Sequence, residues 1–302
     1  MLTAQIIDDV VARALAEDAP WGDITSELLI PADARVEATL DAREPGVFSG
    51  AAVFEAAMRQ VDPGIRVAFQ LADGDRFEAG AVLATVDGLA RGVLRSERVA
   101  LNLVQRMSGI ATLTAAYVAE VAHTDARIVD TRKTTPGLRA LEREAVRAGG
   151  GFNHRFSLSD AVMAKDNHLA VLAAAHGGDV TSALLAVRAR MSHTTHLEVE
   201  VDRLDQIEPV LAAGVDTIML DNFSLADLRA GVELVAGRAL VDASGGVNLD
   251  TVRAIAETGV DIISVGALTH SVRALDLGLD VGFVPGTLAT ASGSTSPQPA
   301  SS

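Results

Sequence analysis

HLEVEVDRLDQIEPVLAAGVDTIMLDN, residues 196–222, reads as one complete strand–helix–strand unit. His196–Val201 has the short β-rich pattern of a strand, Leu204–Ala213 fits a helix, and Asp216–Leu220 is the next strand. Gly214 stands where a helix C-terminus favours glycine. The same rhythm extends in both directions. Upstream are strands at Arg127–Thr131 and Ala161–Ala164, with helices over Leu138–Ala148 and Val180–Met191. Downstream, strands at Ala239–Val241 and Asp261–Val265 alternate with helices over Leu225–Ala236 and Leu249–Thr258, the last followed by Gly259. Alternation at this spacing predicts parallel βα units, arranged as an open doubly wound sheet or a closed barrel. The strand ends favour the barrel. Nearly all finish in polar residues, and only a barrel gathers every strand C-terminus at one mouth. Six strands are legible, so the barrel is six-stranded and incomplete, or seven-stranded.

The segment before this repeat reads as mixed α/β: helices over Leu2–Ala16 and Ala51–Val61, strands over Val36–Leu40, Ile65–Leu71 and Ala81–Val86. A long helix begins near Leu94, with a break expected at Gly109 and a continuation to Val121. The division is an N-terminal α/β sandwich domain over residues 1–110 and a β/α barrel over 111–285. A Ser-, Thr-, Ala-, Gly- and Pro-rich tail at 286–302 is expected to be disordered.

The formal net charge of −15 makes the surface a poor partner for nucleic acid or anionic lipid. No cysteine is present, which excludes disulfides and thiolate metal sites and fits the cytoplasm. No secretory signal and no membrane-length apolar run is visible. Against this acidic background, Arg127–His168 carries eight Arg or Lys and five Asp or Glu residues, a net +3. Both lysines of the chain, Lys133 and Lys165, fall inside this island. Arg139, Arg143 and Arg147, at helical spacing, read as a solvated helix face. Arg132, Lys133, Arg155 and Lys165 read as a focused site for an anion.

Other motifs point the same way. Ser244-Gly245-Gly246 and Ser264-Val265-Gly266 follow the last two strands, where barrels often bind a phosphate on free backbone N–H groups. Glu198, Glu200 and Asp221 lie at neighbouring strand ends and suit Mg2+, a hard cation that keeps waters and bridges phosphates. Gly149-Gly150-Gly151 lets the backbone pass close to a neighbour before His154 and Arg155 present donors. The expected ligand is small, multiply anionic and phosphate-bearing.

These motifs together resemble the quinolinate phosphoribosyltransferases. The resemblance rests on Asp130-Thr131-Arg132-Lys133-Thr134-Thr135-Pro136-Gly137-Leu138-Arg139, Asn153-His154-Arg155 after the glycines, and Lys165-Asp166-Asn167-His168. It extends through Glu97-Arg98-Val99-Ala100-Leu101-Asn102 with Arg106, Met219-Leu220-Asp221-Asn222, Ser244-Gly245-Gly246 and Gly266-Ala267-Leu268-Thr269-His270-Ser271, and covers about residues 5–280. It implies an N-terminal α/β sandwich with a C-terminal barrel. It also implies transfer of phosphoribosyl from phosphoribosyl pyrophosphate to quinolinate with loss of CO2, assisted by Mg2+. A homodimer with shared sites is implied, Arg106 coming from the neighbouring subunit, and higher oligomers are compatible. Carried over, Arg106, Arg132, His154, Arg155 and Lys165 would hold the quinolinate carboxylates, and Thr131 joins the substrate-binding set. Lys133, Glu200 and Asp221 would be catalytic, the first beside phosphoribosyl pyrophosphate and the other two at the ribose and Mg2+. Ser244, Gly245, Gly246, Ser264 and Gly266 would cradle the 5′-phosphate. The sequence departs from the family pattern at Asp242 (glutamate expected), Glu144 (tyrosine expected) and Ala164 (a larger aliphatic residue expected). Rival readings from the residues alone are a Schiff-base aldolase using Lys165, a non-catalytic phosphate-ligand binder, and a phosphoribosyltransferase for another heterocycle.

Overall fold

Alternation of Val36, Ala38, Leu40 and Ala42 with polar or exposed neighbours gives the N-terminal domain a single buried sheet face, which helices then cover. The computed structural model describes residues 2–283. The tail expected at 286–302 lies outside them. The N-terminal elements are α1 (Ala4–Asp18), α2 (Ile24–Leu29), β1 (Arg35–Ala42), β2 (Gly46–Val47), α3 (Ala51–Val61), β3 (Arg66–Phe69), β4 (Arg76–Phe77), β5 (Val82–Leu89) and α4 (Ala90–Val121). The C-terminal elements are β6 (Arg127–Val129), α5 (Arg139–Ala148), β7 (Val162–Ala164), α6 (Asp166–Ala175), α7 (Val180–Arg188), β8 (Leu197–Val201), α8 (Ile207–Leu211), β9 (Thr217–Asp221), α9 (Leu225–Val235), β10 (Leu240–Ser244), α10 (Val252–Ala256), β11 (Ile262–Ser264), α11 (Ala267–His270) and β12 (Leu277–Phe283).

Four antiparallel strands, in the order β12-β1-β5-β3, form the N-terminal sheet. Phe54, Ala57 and Met58 of α3 are fully buried in the core beneath it. The strand β12 reaches this sheet from the far end of the chain, with Val36 opposite Phe283 and Ala42 opposite Leu277. The first strand and the last described strand therefore meet in one sheet.

The helix α4 runs unbroken for 32 residues, about 48 Å at the standard rise. The break expected at Gly109 is absent. A Cβ there would meet the Arg273 carbonyl at an impossible distance, so that glycine serves a close backbone approach rather than a hinge. The triple glycine has a similar explanation. A Cβ on Gly149 or Gly151 would collide with Ala111 or Thr114 of α4, so the close neighbour is this helix and not a ligand.

Six parallel strands form the second sheet in the order β6-β11-β10-β9-β8-β7. The strands β6 and β11, first and last of the six along the chain, pair with each other, as a barrel circuit requires and an open doubly wound sheet does not. The circuit is interrupted between β6 and β7. There the ladder shrinks to one bridge, Val129 with Phe152. The barrel is thus six-stranded, with a seam closed by irregular chain. No helix among the described residues is long and apolar enough to cross a membrane.

Candidate active site

The polar strand ends converge as the alternation predicts. After β6, the Thr131 hydroxyl accepts the Lys133 N–H at 3.1 Å and so shapes the loop. The Lys133 carbonyl accepts the Thr269 hydroxyl at 2.8 Å, and the Lys133 stem lies against Gly266. This joins the lysine loop to the loop after β11, although 133 residues separate Lys133 and Gly266 in sequence.

Arg132 and Arg155 lie close enough for their charges to interact. Burial, followed by the Arg132 charge, lowers the Arg155 pKa. The Arg132 Nε is buried and has no hydrogen-bond partner. Two like charges and an unsatisfied donor at one place call for an anion. Arg155 is anchored by Nη1, which donates to the Ala161 carbonyl at 2.9 Å. After β7, Lys165 forms an ion pair with Glu200.

His154 has its Nε2 2.8 Å from Glu198 Oε2, and Asp242 lies in the same buried group. These three residues have the composition of a metal site. Their hydrogen bonding argues otherwise. His154 Nδ1 accepts the Arg155 N–H at 2.7 Å, which leaves the imidazole proton on Nε2, the atom facing the carboxylates. That nitrogen has no lone pair to offer an ion. Glu200 and Asp221 fit a hard cation better. They line one open cavity of about 740 Å3 together with Asp166 and Asp202, an all-oxygen set with room for water and substrate. Glu200 and Asp221 would hold such a cation, which would supply charge neutralisation to a phosphate-bearing ligand.

At the loop after β10, Gly245 has φ +92 and Gly246 φ +63. The Asn222 N–H donates to the Ser244 carbonyl at 2.8 Å, which presses the Asn222 side chain against Gly245. Among the described residues no acceptor takes the N–H of Gly245, Gly246 or Gly266, so these donors are free for a phosphate. Ser264 is placed differently. It is buried, and both its hydroxyl, at 2.7 Å, and its N–H, at 3.2 Å, donate to Asp242, so neither donor is free for a phosphate.

A Gly245→Ala substitution is expected to lose about 2–4 kcal/mol of stability and to raise the KM for the phosphate-bearing substrate. The new Cβ would sit far inside contact distance of the Asn222 side chain, at a φ that only glycine adopts readily. Thermal unfolding checks the first effect and steady-state kinetics the second. Wild-type values for both would show that the loop is free to shift.

Arg106 is not displayed outward. Its Nε donates to Glu142 at 2.7 Å, and its Nη2 donates to the Thr135 hydroxyl at 2.8 Å and the Thr269 carbonyl at 2.9 Å. Glu142 is 1% exposed. Within its own chain Arg106 therefore ties α4 to the Lys133 loop and to α11. The arginine row of α5 also departs from expectation. Arg139 donates to the Phe156 carbonyl, Arg143 donates to the His154 carbonyl, and Arg147 lies over the Phe152 ring. The face read as solvated grips the seam instead. Helical spacing shows that the three share a side but not what covers it. Asp130, fully buried at the end of β6, is a further residue whose role was not legible.

The chain is similar to known proteins along most of its length. The family model for the quinolinate phosphoribosyl transferase N-terminal domain matches residues 23–108, and that for the C-terminal domain matches residues 110–280. Nicotinate-nucleotide pyrophosphorylase (carboxylating) of Mycobacterium leprae is 46% identical over 279 residues, covering 90% of this chain and 96% of that protein. Among solved structures, NadC of Streptococcus pyogenes superposes with a TM-score of 0.88 at 39% identity, covering 94% of this chain and 99% of the other. The nicotinate-nucleotide pyrophosphorylase of Francisella tularensis gives a TM-score of 0.86 at 35% identity, covering 93% and 98%. With both domains matched, and relatives covered almost end to end, the chain belongs to the quinolinate phosphoribosyltransferase family.

Proposed function

We propose that the barrel mouth transfers the phosphoribosyl group of phosphoribosyl pyrophosphate to quinolinate, releasing pyrophosphate and CO2 and leaving nicotinate mononucleotide. The observation that carries this reading is the buried, unpartnered Nε of Arg132 beside the charge of Arg155. Quinolinate is a dianion, and the three cations Arg132, Arg155 and Lys165 can bind both its carboxylates. The pyridine nitrogen attacks C1′ of the ribose as the bond to pyrophosphate breaks. Glu200 and Asp221 stabilise the positive charge that develops on the ribose, and Lys133 stabilises the departing pyrophosphate. Mg2+, when bound, supplies Lewis-acid neutralisation of the phosphate charge. The ring is then a pyridinium, whose positive charge stabilises the carbanion left at C2 when CO2 departs. A proton from solvent completes the product. Free N–H groups of Gly245, Gly246 and Gly266 cradle the 5′-phosphate, beside Ser244.

This reading includes a cytoplasmic homodimer with shared sites. Arg106 can serve a neighbouring subunit only by leaving Glu142, so in the chain as folded it acts as a positioning residue for the Lys133 loop. The test is an assay with quinolinate, phosphoribosyl pyrophosphate and Mg2+. CO2 and nicotinate mononucleotide are expected in equal amounts. No product at micromolar enzyme would defeat the proposal.

A further inference from the structure

In a complete barrel, ladder hydrogen bonds on both sides fix each strand end. The seam lacks this support where it matters most, because it carries His154 and Arg155. Its last backbone rung is at Phe152, whose N–H donates to the Ile128 carbonyl at 2.8 Å and whose carbonyl accepts the Asp130 N–H at 3.1 Å. Beyond that point side chains continue the ladder. Asp130 accepts the His154 N–H at 2.8 Å and the Asn153 Nδ2 at 2.6 Å. Arg143 donates from Nη1 to the His154 carbonyl at 2.7 Å and lies 3.3 Å from Asp130. Donor and acceptor of His154 are thus both met, as a neighbouring strand would meet them.

Neither residue is an ordinary surface group. Asp130 is fully buried, and Arg143 has a side chain 14% exposed that also covers the Phe156 ring. Burial raises the Asp130 pKa, while Arg143, the His154 N–H and Asn153 act to lower it. An acid at this depth is kept only where donors surround it.

We propose that Asp130 and Arg143 are positioning residues that replace the missing strand at the seam and aim His154 and Arg155 at quinolinate. The proposal rests on the quinolinate reading above. It predicts a defect confined to one substrate, because the phosphate loops lie on β10 and β11, which keep full ladders on their own sides.

The test uses the full chain with Asp130→Asn and, separately, Arg143→Lys. The lysine keeps the charge beside Asp130 but loses the planar fork. In each variant the KM for quinolinate is expected to rise by roughly tenfold or more. The KM for phosphoribosyl pyrophosphate should stay within about twofold, and Arg143→Lys should keep the wild-type Tm. If Asp130→Asn does not fold, Arg143→Lys decides the matter alone. An unchanged quinolinate KM with an active wild type overturns the clamp and leaves the function standing. An equal rise for both substrates also overturns it, since that is general damage. An inactive wild type removes the function and the clamp together.

Discussion

Lys165→Ala is expected to weaken quinolinate binding by about 100-fold, roughly 3 kcal/mol, as measured by calorimetry without the second substrate. Two effects act in the same direction. The first is loss of a charge-assisted hydrogen bond to a carboxylate. The second comes from Glu200, which is ion-paired with Lys165 and has only 14% of its side chain exposed. Without the ammonium, Glu200 is an uncompensated negative charge facing a dianion. A second substitution separates the two contributions. Glu200→Gln added to Lys165→Ala removes the repulsion and should restore some of the affinity, a coupling that a double-mutant cycle isolates. A quinolinate Kd within threefold of wild type in Lys165→Ala would place the carboxylates elsewhere.

The alternation of strands and helices was legible because period and length are local properties. Residues 196–222 give both strands and the helix between them, although the helical stretch begins as a 3-10 turn at Leu204–Gln206 before α8. What closes on what was harder to read. The last strand, β12, places Leu277 and Leu279 against the core, but Gly278 and Gly282 between such residues weaken its strand signal. Its partner, β1, lies at the other end of the chain. The basic island was legible as an anion site, yet its members divide by surroundings that sequence does not display. Arg132 is left with an unsatisfied donor, whereas Arg139 and Arg143 spend theirs on carbonyls of the seam. Arg106 and Ser264 show the same limit. Each lies in a motif of the family, and each side chain is engaged inside its own chain, by Glu142 and Asp242 respectively. Motif membership locates a residue near a site. The acceptor nearest its donor determines its role there.

Asp242→Asn is expected to make the protein more stable at pH 8 while leaving it unchanged near pH 4. Asp242 is 1% exposed inside the barrel. Burial first, and the Glu198 charge second, push its pKa from 3.8 up to about 8, against the opposing pull of Ser264 and His154. The native state therefore holds a proton between about pH 4 and pH 8 that the unfolded chain has released. In that window the unfolded state binds fewer protons, so stability falls as pH rises and levels off above pH 8. Each pH unit is worth about 1.4 kcal/mol at most. Asparagine keeps an acceptor for the Ser264 N–H and can donate to its hydroxyl, but it has no proton to lose. The variant should match wild type near pH 4 and exceed it by about 2–4 kcal/mol at pH 8, as read from urea unfolding across the range. Parallel stability curves would show that Asp242 is ionised in the native barrel, with His154 balancing it. Because burial already favours the neutral form of the wild-type side chain, quinolinate binding should change little near neutral pH. Stability and substrate affinity should therefore separate at Asp242, whose proton is set by depth in the barrel and not by the ligand at its mouth.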